Sequence, residues 1–347
     1  MPTVPIQIQQ ALDRVVANLP SPAQSFLARH GDKVAIAAAG ILVAFVARKI
    51  AAGGKASKAD LTKDLTGKVA IITGGNGGIG YETALQLAKQ NATVCIAARP
   101  SPKTTQAVES IRQKSKNPHV FAEDLDVQSL KSVRAFAERW RKSGSKIHWL
   151  INNAGVSSHN GRQVTPEGLE TMIATNHLGH FLLTNLLLDI IVASGHARII
   201  NVSSEAHRNR ELDLDDLNRE KGFGNYSTYG ESKLANVMFT AALARRLQGT
   251  DVITQSLHPG VVRTELIRGA PLWIRIVSVL ITPLKILAKT PWEGAQTTLH
   301  CALSQEAGYL GGAYWKDCQV CSVRSKQGRD KEAQEKLWNV SAKIVGL

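Results

Sequence analysis

A short apolar run that breaks into a glycine-rich turn constrains the fold of this chain more than any other feature. Residues Val69 to Ile72 are apolar and mostly β-branched, as in a strand that is buried on both faces. The turn at 73–80 is rich in glycine, and a helical pattern follows from Tyr81. Because a strand, a glycine turn and a helix in this order present helix N-terminal N–H groups to a pyrophosphate, the run predicts a dinucleotide site.

Similar apolar runs recur along the chain and alternate with helical patterns. Strands are predicted over 69–73, 93–98, 120–123, 149–152, 198–203 and 252–257, with a shorter last strand over 312–316. This alternation predicts an α/β fold with a single doubly wound parallel sheet flanked by helices. Ligands of such sheets bind beyond the carboxyl ends of the strands, so residues at those ends are site candidates.

Tyr229 and Lys233 lie four residues apart on a predicted helix, so their side chains share one face. The ordinary pKa of a tyrosine is about 10, and a neighbouring ammonium favours the phenolate and lowers that pKa. We therefore expect a pair that delivers a proton to a carbonyl oxygen or removes one from an alcohol. The pair alone is a weak signal and depends on the motifs upstream.

Those motifs identify a family resemblance. Thr-Gly-x-x-x-Gly-Ile-Gly from Thr73, Asn-Asn-Ala-Gly from Asn152 and Tyr-x-x-x-Lys from Tyr229 together resemble the short-chain dehydrogenase/reductase family. The longer runs NHLGHFLLTNLLL, RIINVSSEAH, SKLANVMFT and LHPGVVRTEL resemble its retinol-dehydrogenase-like branch, whose members act on retinoids, steroids and lipid aldehydes or ketones. The likeness covers about 65–347 and implies a Rossmann-type oxidoreductase domain.

The resemblance also implies roles for four catalytic residues. Tyr229 is expected to be the acid in reduction and the base in oxidation, and Ser204, rather than Ser203, to orient the substrate oxygen. Lys233 is expected to hold the ribose hydroxyls, and Asn176 a water beside that lysine. Hydride then passes directly between cofactor and substrate without a metal.

The implied cofactor contacts lie at the ends of successive strands. The glycine turn is expected to bind the pyrophosphate, and an Asp-Val pair to contact the adenine. The Asn-Ala-Gly segment is expected to line the cofactor, and the last loop to bond the nicotinamide carboxamide. The residues are Thr73, Gly74, Gly78, Ile79, Gly80, Asp126, Val127, Asn153, Ala154, Gly155, Tyr229, Lys233, Pro259, Gly260, Val262 and Thr264.

The end of the second predicted strand indicates which dinucleotide binds. NAD-binding sheets usually place an acidic residue there, but the sequence has none between Asn91 and Val108. Arg99 and Lys103 occupy this stretch instead, and a guanidinium suits a 2′-phosphate in charge and geometry. The prediction is NADP(H).

A second amphiphilic stretch, from Leu272 to Lys289, mixes bulky apolar side chains with basic ones. Its position matches the substrate lid of the family, here 264–290, and a basic amphipathic helix is also compatible with membrane contact. Its apolar content predicts a hydrophobic small-molecule substrate.

Residues 1–64 lie outside the resemblance. The uncharged run 34–47 would span about 21 Å as a helix, less than a hydrocarbon core of about 30 Å. A short membrane span, a helix in the interface and a soluble helix docked on the domain are all open. Lysines after the run favour a catalytic domain on the cytoplasmic side. We expect the protein at the endoplasmic reticulum membrane. The run Ala52-Gly-Gly-Lys-Ala-Ser, 52–57, predicts a flexible tether.

The charge pattern and the possible metal ligands argue against a nucleic-acid-binding protein and against a metal site. The net charge of +14 suits anionic partners, but no nucleic-acid-binding motif is present, so we expect a membrane surface rather than nucleic acid. Cys318-x-x-Cys321 has no second ligand pair, and His177 and His180 have no nearby carboxylate. We interpret these as structural groups and expect no metal. The sequence does not indicate an oligomeric state.

Two further hypotheses stay open beside a membrane-tethered oxidoreductase of hydrophobic substrates. One is a non-catalytic relative that keeps the fold as a binding scaffold, and the other is a soluble reductase of small carbonyls. The presence of all four catalytic residue types weighs against a scaffold.

Overall fold

The computed structural model describes Pro20, Ser21, His30 and residues 45–157, 161–262 and 288–347. The chain divides into two units, 1–51 and 52–347. Residues 45–51 of the first unit are helical. Most of the predicted anchor (34–47), most of the predicted lid (264–290) and Thr264 lie outside the described residues.

The second unit is built on one eight-stranded sheet with the order β3-β2-β1-β4-β5-β6-β7-β8. Neighbouring strands are parallel except β7 and β8, which are antiparallel. The strands are β1 (Val69–Thr73), β2 (Thr93–Ala98), β3 (Val120–Asp124), β4 (Trp149–Asn152), β5 (Arg198–Val202), β6 (Ile253–His258), β7 (Tyr314–Lys316) and β8 (Gln319–Cys321). The predicted doubly wound parallel sheet is therefore confirmed, with small shifts of the strand ends.

Strand β8 was not predicted, because the turn before it lacks the usual signal. Asp317 and Cys318 both have positive φ angles, 51° and 60°, as in a two-residue hairpin turn. Such turns usually carry Asn-Gly or Asp-Gly, since glycine adopts these angles without strain. The Asp-Cys pair gives no comparable indication.

Helices cover both faces of the sheet. The longer ones are α1 (Gly78–Lys89), α2 (Pro102–Ser115), α3 (Leu130–Ser143), α4 (Gly179–Ser194), α5 (Asn225–Arg246), α6 (Pro291–Leu303) and α7 (Lys331–Val345). Several begin at a capping side chain. Helix α6, for example, starts with a reciprocal pair in which Thr290 and Glu293 each bond the other's backbone N–H.

Alternating side chains of the central strands feed two hydrophobic cores. In β1, Ile71 packs into the core beneath α3, α4 and α5, whereas Ala70 and Ile72 pack into the core beneath α1, α2 and α6. All three are fully buried. Burial on both faces explains why the strand sequences read as continuous apolar runs rather than alternating ones.

The strand order reverses between β1 and β4, which places a crevice at their carboxyl ends. The glycine turn after β1 and the Asn-Ala-Gly segment after β4 therefore face each other across this crevice. The fold brings together motifs that are almost eighty residues apart in the sequence.

One described helical run, 171–194, is long and apolar enough to cross a membrane. More than half of its most apolar window, 56%, is buried within the protein. Phe181, Leu182 and Leu187 on it belong to the hydrophobic core. It is a core helix of the domain.

Part of the segment predicted as a tether, 52–57, packs against the domain. Side chains at Gly53 and Gly54 would overlap Asp317, so the backbone packs closely against that residue. Ala56 is 6% exposed, and its N–H donates to the Gln296 side chain at 3.2 Å. The glycines allow close packing, which their sequence alone does not distinguish from flexibility.

Candidate active site

A cavity of about 860 Å³ lies at the carboxyl ends of the parallel strands. Most of the residues predicted from the sequence line it: Gly74, Gly78, Ile79, Arg99, Lys103, Asp126, Val127, Asn153, Ala154, Gly155, Ser204, Tyr229, Lys233, Pro259, Gly260 and Val262. Thr73, Gly80 and Asn176 lie behind this wall and support it. The size is within the range of sites for organic ligands.

Thr73 and Gly80 support the glycine turn from behind. The Thr73 hydroxyl accepts from the N–H groups of Asn153 and Ala154, each at 2.9 Å. Asn153 Nδ2 in turn donates to the Thr73 carbonyl at 2.9 Å. A Cβ atom at Gly80 would lie 2.6 Å from Asn153 Nδ2 and from the Gly74 carbonyl. Glycine is therefore needed for the close approach of helix α1 to the turn.

The N-terminus of α1 opens onto the cavity. The helix begins at Gly78, whose φ of +55° favours glycine, and Gly77 precedes it without a side-chain cap. The first backbone N–H groups of a helix have no partner within the helix. Lys103 Nζ lies close to Gly77, 3.0 Å from the position of a Cβ there. The turn thus combines backbone donors with a nearby ammonium, an arrangement that suits phosphate.

Arg99 follows β2 directly, where the strand meets the cavity. The Arg99 carbonyl accepts a hydrogen bond from the Thr104 hydroxyl at 2.8 Å. The same Thr104 oxygen accepts from Asn76 Nδ2 at 2.9 Å. These bonds tie the glycine turn to the start of helix α2, so Arg99, Lys103 and the turn share one side of the cavity.

Asp126 and Val127 form the end wall beyond β3. Asp126 Oδ1 accepts from Gln128 N at 3.1 Å, and the Asp126 N–H donates to Ser132 Oγ at 3.0 Å. A Cβ atom at Gly179 would overlap the Val127 carbonyl. Helix α4 therefore approaches the loop after β3 as closely as a glycine allows.

Ser204 and Ser203 have different surroundings at the end of β5. Ser203 is 2% exposed, and its hydroxyl donates to the Lys233 carbonyl at 2.7 Å, which fixes helix α5 to the sheet. Ser204 lines the cavity, and its side chain hydrogen-bonds that of Tyr229. The structure thus places Ser204, as the sequence predicted, beside the tyrosine hydroxyl.

Lys233 lies one turn after Tyr229 on α5 and is 3% exposed. Its Nζ lies 5.8 Å from the centre of the Tyr229 ring and donates to the Val202 carbonyl at 3.1 Å. A Cβ atom at Gly155 would lie 3.3 Å from this nitrogen. Burial lowers the pKa of Lys233 to about 8. A lysine ammonium has three donors, so the site leaves donor capacity directed toward the cavity.

The predicted direction of the Tyr229 pKa shift is wrong for this structure. Burial raises the pKa of Tyr229, and the hydrogen bond from Ser204 opposes this rise. Removal of a phenolate from water disfavours the charged form. Lys233 is itself buried, which disfavours its own charge. At neutral pH the tyrosine is therefore protonated, as a proton donor must be.

Asn176 lies where helix geometry changes. Residues Ala174–Leu178 form a π-helical turn ahead of α4, a feature frequent at functional sites. The Asn176 side chain accepts from Val156 N at 2.8 Å and donates to Val156 O at 3.0 Å and to Ser232 Oγ at 2.9 Å. It joins the segment after β4 to the catalytic helix. The role in holding a water stays a prediction.

Thr175, His258 and Val261 are among the cavity-lining residues that the sequence did not single out. Thr175 has a buried hydroxyl without a hydrogen-bond partner among the described residues. His258 ends β6, and burial lowers its pKa to about 4. Val261 is 75% exposed at the rim. The sequence offered one signal for all three residues, which is their position beside predicted ones. Thr175 and Val261 adjoin predicted residues, and His258 precedes the predicted Pro-Gly pair.

The histidines and cysteines outside the cavity have structural contacts. His180 Nε2 lies 2.9 Å from Thr73 Oγ1, and His177 Nε2 lies 2.9 Å from Ser341 Oγ. Burial lowers the pKa of both rings. Cys318 precedes β8, Cys321 is the last residue of that strand, and the two form no disulfide. The interpretation of both histidines as packing and hydrogen-bonding groups is confirmed.

These features together fit a nicotinamide dinucleotide. The glycine turn and the N-terminus of α1 offer backbone donors to a pyrophosphate, and the buried Lys233 side chain lines the cavity beside Tyr229. A protonated phenol and a serine hydroxyl meet at its far end. Such a site can hold a nicotinamide cofactor and exchange a proton with an alcohol or carbonyl.

Comparison with known proteins agrees with this geometry. The short chain dehydrogenase family model matches residues 68–273. Human "Retinol dehydrogenase 12" is 45% identical over 306 residues, which cover 88% of this chain and 94% of that protein. Human "Retinol dehydrogenase 11" is 42% identical over 82% of this chain and 88% of its own length.

A crystal structure of a putative uncharacterized protein from Mycobacterium paratuberculosis has a similar fold. Its TM-score is 0.68 at 31% identity, and the match covers 85% of this chain and 98% of that one. The chain belongs to the short-chain dehydrogenase/reductase family, in its retinol-dehydrogenase-like branch.

Proposed function

We propose that this protein is a membrane-associated, NADP(H)-dependent oxidoreductase that interconverts hydrophobic alcohols and carbonyls. The single observation that carries the proposal is the cluster of Ser204, Tyr229 and Lys233 at one end of the cavity, with Arg99 and Lys103 at the other. This arrangement suits NADPH. The proton donor would serve the reaction at the nicotinamide, and the two cations at the other end would bind the 2′-phosphate.

Each side chain has a role that follows from its position. Tyr229 is protonated at neutral pH and donates its proton to the substrate oxygen in reduction. Ser204 hydrogen-bonds the same region and orients that oxygen. Lys233 would donate to the ribose hydroxyls and hold the cofactor near Tyr229. In oxidation the proton would move in the opposite direction, from the alcohol to the tyrosine in its deprotonated form, which the raised pKa of Tyr229 makes rare at neutral pH and commoner as pH rises.

NADP(H) supplies or accepts the hydride, a chemistry that no protein side chain provides. Arg99 and Lys103 would hold its 2′-phosphate, because both line the cavity beside the glycine turn and no acidic residue of that stretch competes. Asp126 and Val127 would contact the adenine, and Gly74, Gly78 and Ile79 the pyrophosphate.

The segment after β6 would fix the nicotinamide. Pro259, Gly260 and Val262 line the cavity next to His258, and their position matches the family loop that bonds the carboxamide. Thr264, the last residue of that motif, belongs to the same proposal from sequence alone.

A hydrophobic substrate is proposed on two grounds. The curated relatives carry the name retinol dehydrogenase, which designates an apolar alcohol. Val261, which lines the cavity and is exposed, offers an apolar side chain that a substrate could contact. We propose retinoids, steroids or lipid aldehydes as the substrate class.

Membrane association is proposed from the uncharged run 34–47 and the basic residues that follow it. Such substrates partition into bilayers, so a catalytic domain held at the membrane would meet them there. We propose the endoplasmic reticulum with the domain on its cytoplasmic side.

The experiment that tests this function measures NADPH and NADH oxidation by full-length protein in detergent. The panel contains all-trans-retinal, a long-chain aldehyde, a ketosteroid and a small polar aldehyde. We expect turnover of one or more lipophilic carbonyls with NADPH in preference to NADH. Turnover of the polar aldehyde alone would instead support the soluble reductase, and no turnover with any carbonyl would support the scaffold.

A separate fractionation experiment tests the membrane proposal. Full-length protein and a variant without residues 34–47 are expressed in the same cells, and membranes are pelleted. We expect the full-length chain in the pellet and the deletion variant in the supernatant. Equal distribution of the two proteins would contradict an anchor in this segment.

A further inference from the structure

We propose that the buried ion pair of Lys289 and Asp317 is a positioning device for the nicotinamide end of the cavity, and that the backbone at Gly53–Gly54 forms part of it. The inference rests on the proposed function, because it concerns the loop after β6 that would hold the nicotinamide. It assigns roles to residues outside the catalytic cluster.

The pair is short and unequally buried. Lys289 Nζ lies 2.5 Å from Asp317 Oδ1. The Lys289 side chain is 5% exposed, whereas that of Asp317 is 35% exposed. A buried ammonium is costly unless a carboxylate accompanies it. Loss of Asp317 should therefore destabilise the site more than loss of Lys289.

Lys289 also contacts the loop after β6 through its backbone and its aliphatic stem. Its N–H donates to the Val261 carbonyl at 2.8 Å, and it bridges Val262 in a parallel ladder. A Cβ atom at Gly260 would lie 2.6 Å from Lys289 Cδ and 2.7 Å from Cε. The loop backbone therefore lies directly on the lysine stem.

Asp317 lies in the strained turn between β7 and β8. Its positive φ of 51° is compatible with an aspartate, which adopts this conformation more readily than most residues. The turn presents the Asp317 carboxylate to Lys289 at the carboxyl end of β7, next to β6 in the sheet. The sheet thus fixes the position of the carboxylate, and the carboxylate fixes the lysine.

The glycines at 53–54 close the cluster from the other side. A Cβ atom at Gly53 would lie 2.6 Å from Lys289 Nζ and would overlap the Asp317 carboxylate. A Cβ atom at Gly54 would overlap the Asp317 carbonyl. No larger residue fits either place, so the chain entering the domain covers the ion pair and contributes to its burial.

These contacts form a continuous series from the domain's first residues to the cavity. Gly54 packs on Asp317, Asp317 pairs with Lys289, and Lys289 supports Gly260 and Val262, which line the cavity. Loss of the pair should move the loop and leave the opposite end of the cavity, with Arg99 and the glycine turn, unchanged. The effect is therefore specific for the nicotinamide half of the ligand.

The test compares two ligands that differ in this half. Dissociation constants are measured for NADPH and for 2′-phospho-ADP-ribose, which lacks nicotinamide, with full-length wild type, Asp317→Asn, Lys289→Met and the double variant. We expect Asp317→Asn to weaken NADPH about tenfold or more, with 2′-phospho-ADP-ribose changed less than about twofold. The emission of bound NADPH, which reports on the nicotinamide environment, should shift toward that of free NADPH.

The order of the variants is part of the prediction. Asp317→Asn leaves a buried ammonium without its carboxylate and should have the largest effect, whereas Lys289→Met leaves a partly solvated carboxylate. The double variant should therefore bind NADPH better than Asp317→Asn alone. Additive losses would show that the two side chains act independently and would overturn the proposal.

Gly54→Ala tests the contribution of the entering chain, because it displaces Asp317 but keeps both charged side chains. We expect the same selective loss of NADPH affinity. Gly311→Ala is the matched control, because a Cβ atom there meets nothing closer than Ile253 Cδ1 at 3.9 Å. Equal weakening of both ligands by the ion-pair variants would overturn the positioning role. Failure of wild type to bind either ligand would instead overturn the proposed function.

Discussion

The ammonium nitrogen of Lys233 lies 3.1 Å from the backbone carbonyl oxygen of Val202, the last residue of β5, and donates a hydrogen bond to it. This bond holds a buried cation at the point where the central sheet meets the cavity. The burial lowers the lysine pKa, so the folded protein keeps the charge at a cost in stability.

Replacement of Lys233 by methionine should stabilise the ligand-free protein and abolish turnover. The lowering of the pKa from 10.5 to about 8 corresponds to about 3 kcal/mol. Between these pH values the unfolded chain binds more protons than the folded one, so this group makes the wild type more stable as pH rises. The stability difference between variant and wild type should therefore be large at pH 7 and shrink toward pH 10. Urea denaturation at both pH values measures it.

Lys131→Met, at an exposed position, is the control for removal of a surface lysine. The Lys131→Met protein should have nearly the same free energy of unfolding as wild type at both pH values, and nearly the same turnover. A Lys233→Met protein that is much less stable than wild type at pH 7 would contradict the unfavourable burial of this charge.

Arg99→Leu should change the preference between the two dinucleotides. Loss of a charge-assisted contact of about 1.5–3 kcal/mol with the 2′-phosphate should weaken NADPH by about tenfold or more and leave NADH nearly unchanged. Arg329→Leu removes the same charge at an exposed position away from the cavity and should affect neither. Isothermal titration with both cofactors measures the ratio. Equal losses for NADPH and NADH would contradict a 2′-phosphate contact at Arg99.

The buried pair of Arg219 and Glu231 should brace the back of the catalytic helix. The two side chains lie 3.0 Å apart and are 12% and 7% exposed, and Glu231 lies between Tyr229 and Lys233 in the sequence. Burial raises the pKa of Glu231 and of the nearby Glu170. Arg219→Met should therefore destabilise the fold by about 3 kcal/mol at neutral pH, because it removes the cation paired with Glu231 and leaves only Arg210 near Glu231 and Arg162 near Glu170.

The pH dependence distinguishes this effect from a loss of packing. A glutamate whose pKa is raised in the folded state contributes stability at low pH, and this contribution is lost as pH rises through the raised pKa. The defect of Arg219→Met should thus be smaller at pH 5 than at pH 7 in thermal unfolding. The exposed Arg324→Met should show no such dependence. A defect of the same size at both pH values would indicate packing alone.

The sheet was predictable because burial on both faces leaves a strong apolar signal. Residues 69–73 read as a strand from their side chains alone, and the structure begins and ends β1 at the same residues. Strand β8 gave no such signal, because it is short, lies at the edge of the sheet and follows a turn without glycine.

The cavity residues were predictable from motifs, but their energetics were not. The family pattern indicated Tyr229 and Lys233, and the structure brings both to the cavity. The direction of the tyrosine pKa shift depends on how much water the fold removes, which a four-residue spacing does not encode. The π-helical turn at Asn176 likewise depends on packing between helices.

The role of the glycines at 53–54 shows the same limit. Glycine in a short polar stretch is compatible with flexibility and with close packing, and the sequence does not say which residue lies against it. The contact with Asp317 joins positions more than 260 residues apart. Only the folded chain reveals it.

The most direct test of the central claim compares Tyr229→Phe with wild type in two measurements on the same preparation. NADPH oxidation is followed with the best lipophilic carbonyl, and NADPH binding is measured by titration. Tyr309→Phe, which removes a hydroxyl outside the cavity, is the control. We predict that Tyr229→Phe binds NADPH with nearly wild-type affinity and loses nearly all turnover. Turnover close to that of wild type would contradict the assignment of Tyr229 as the proton donor.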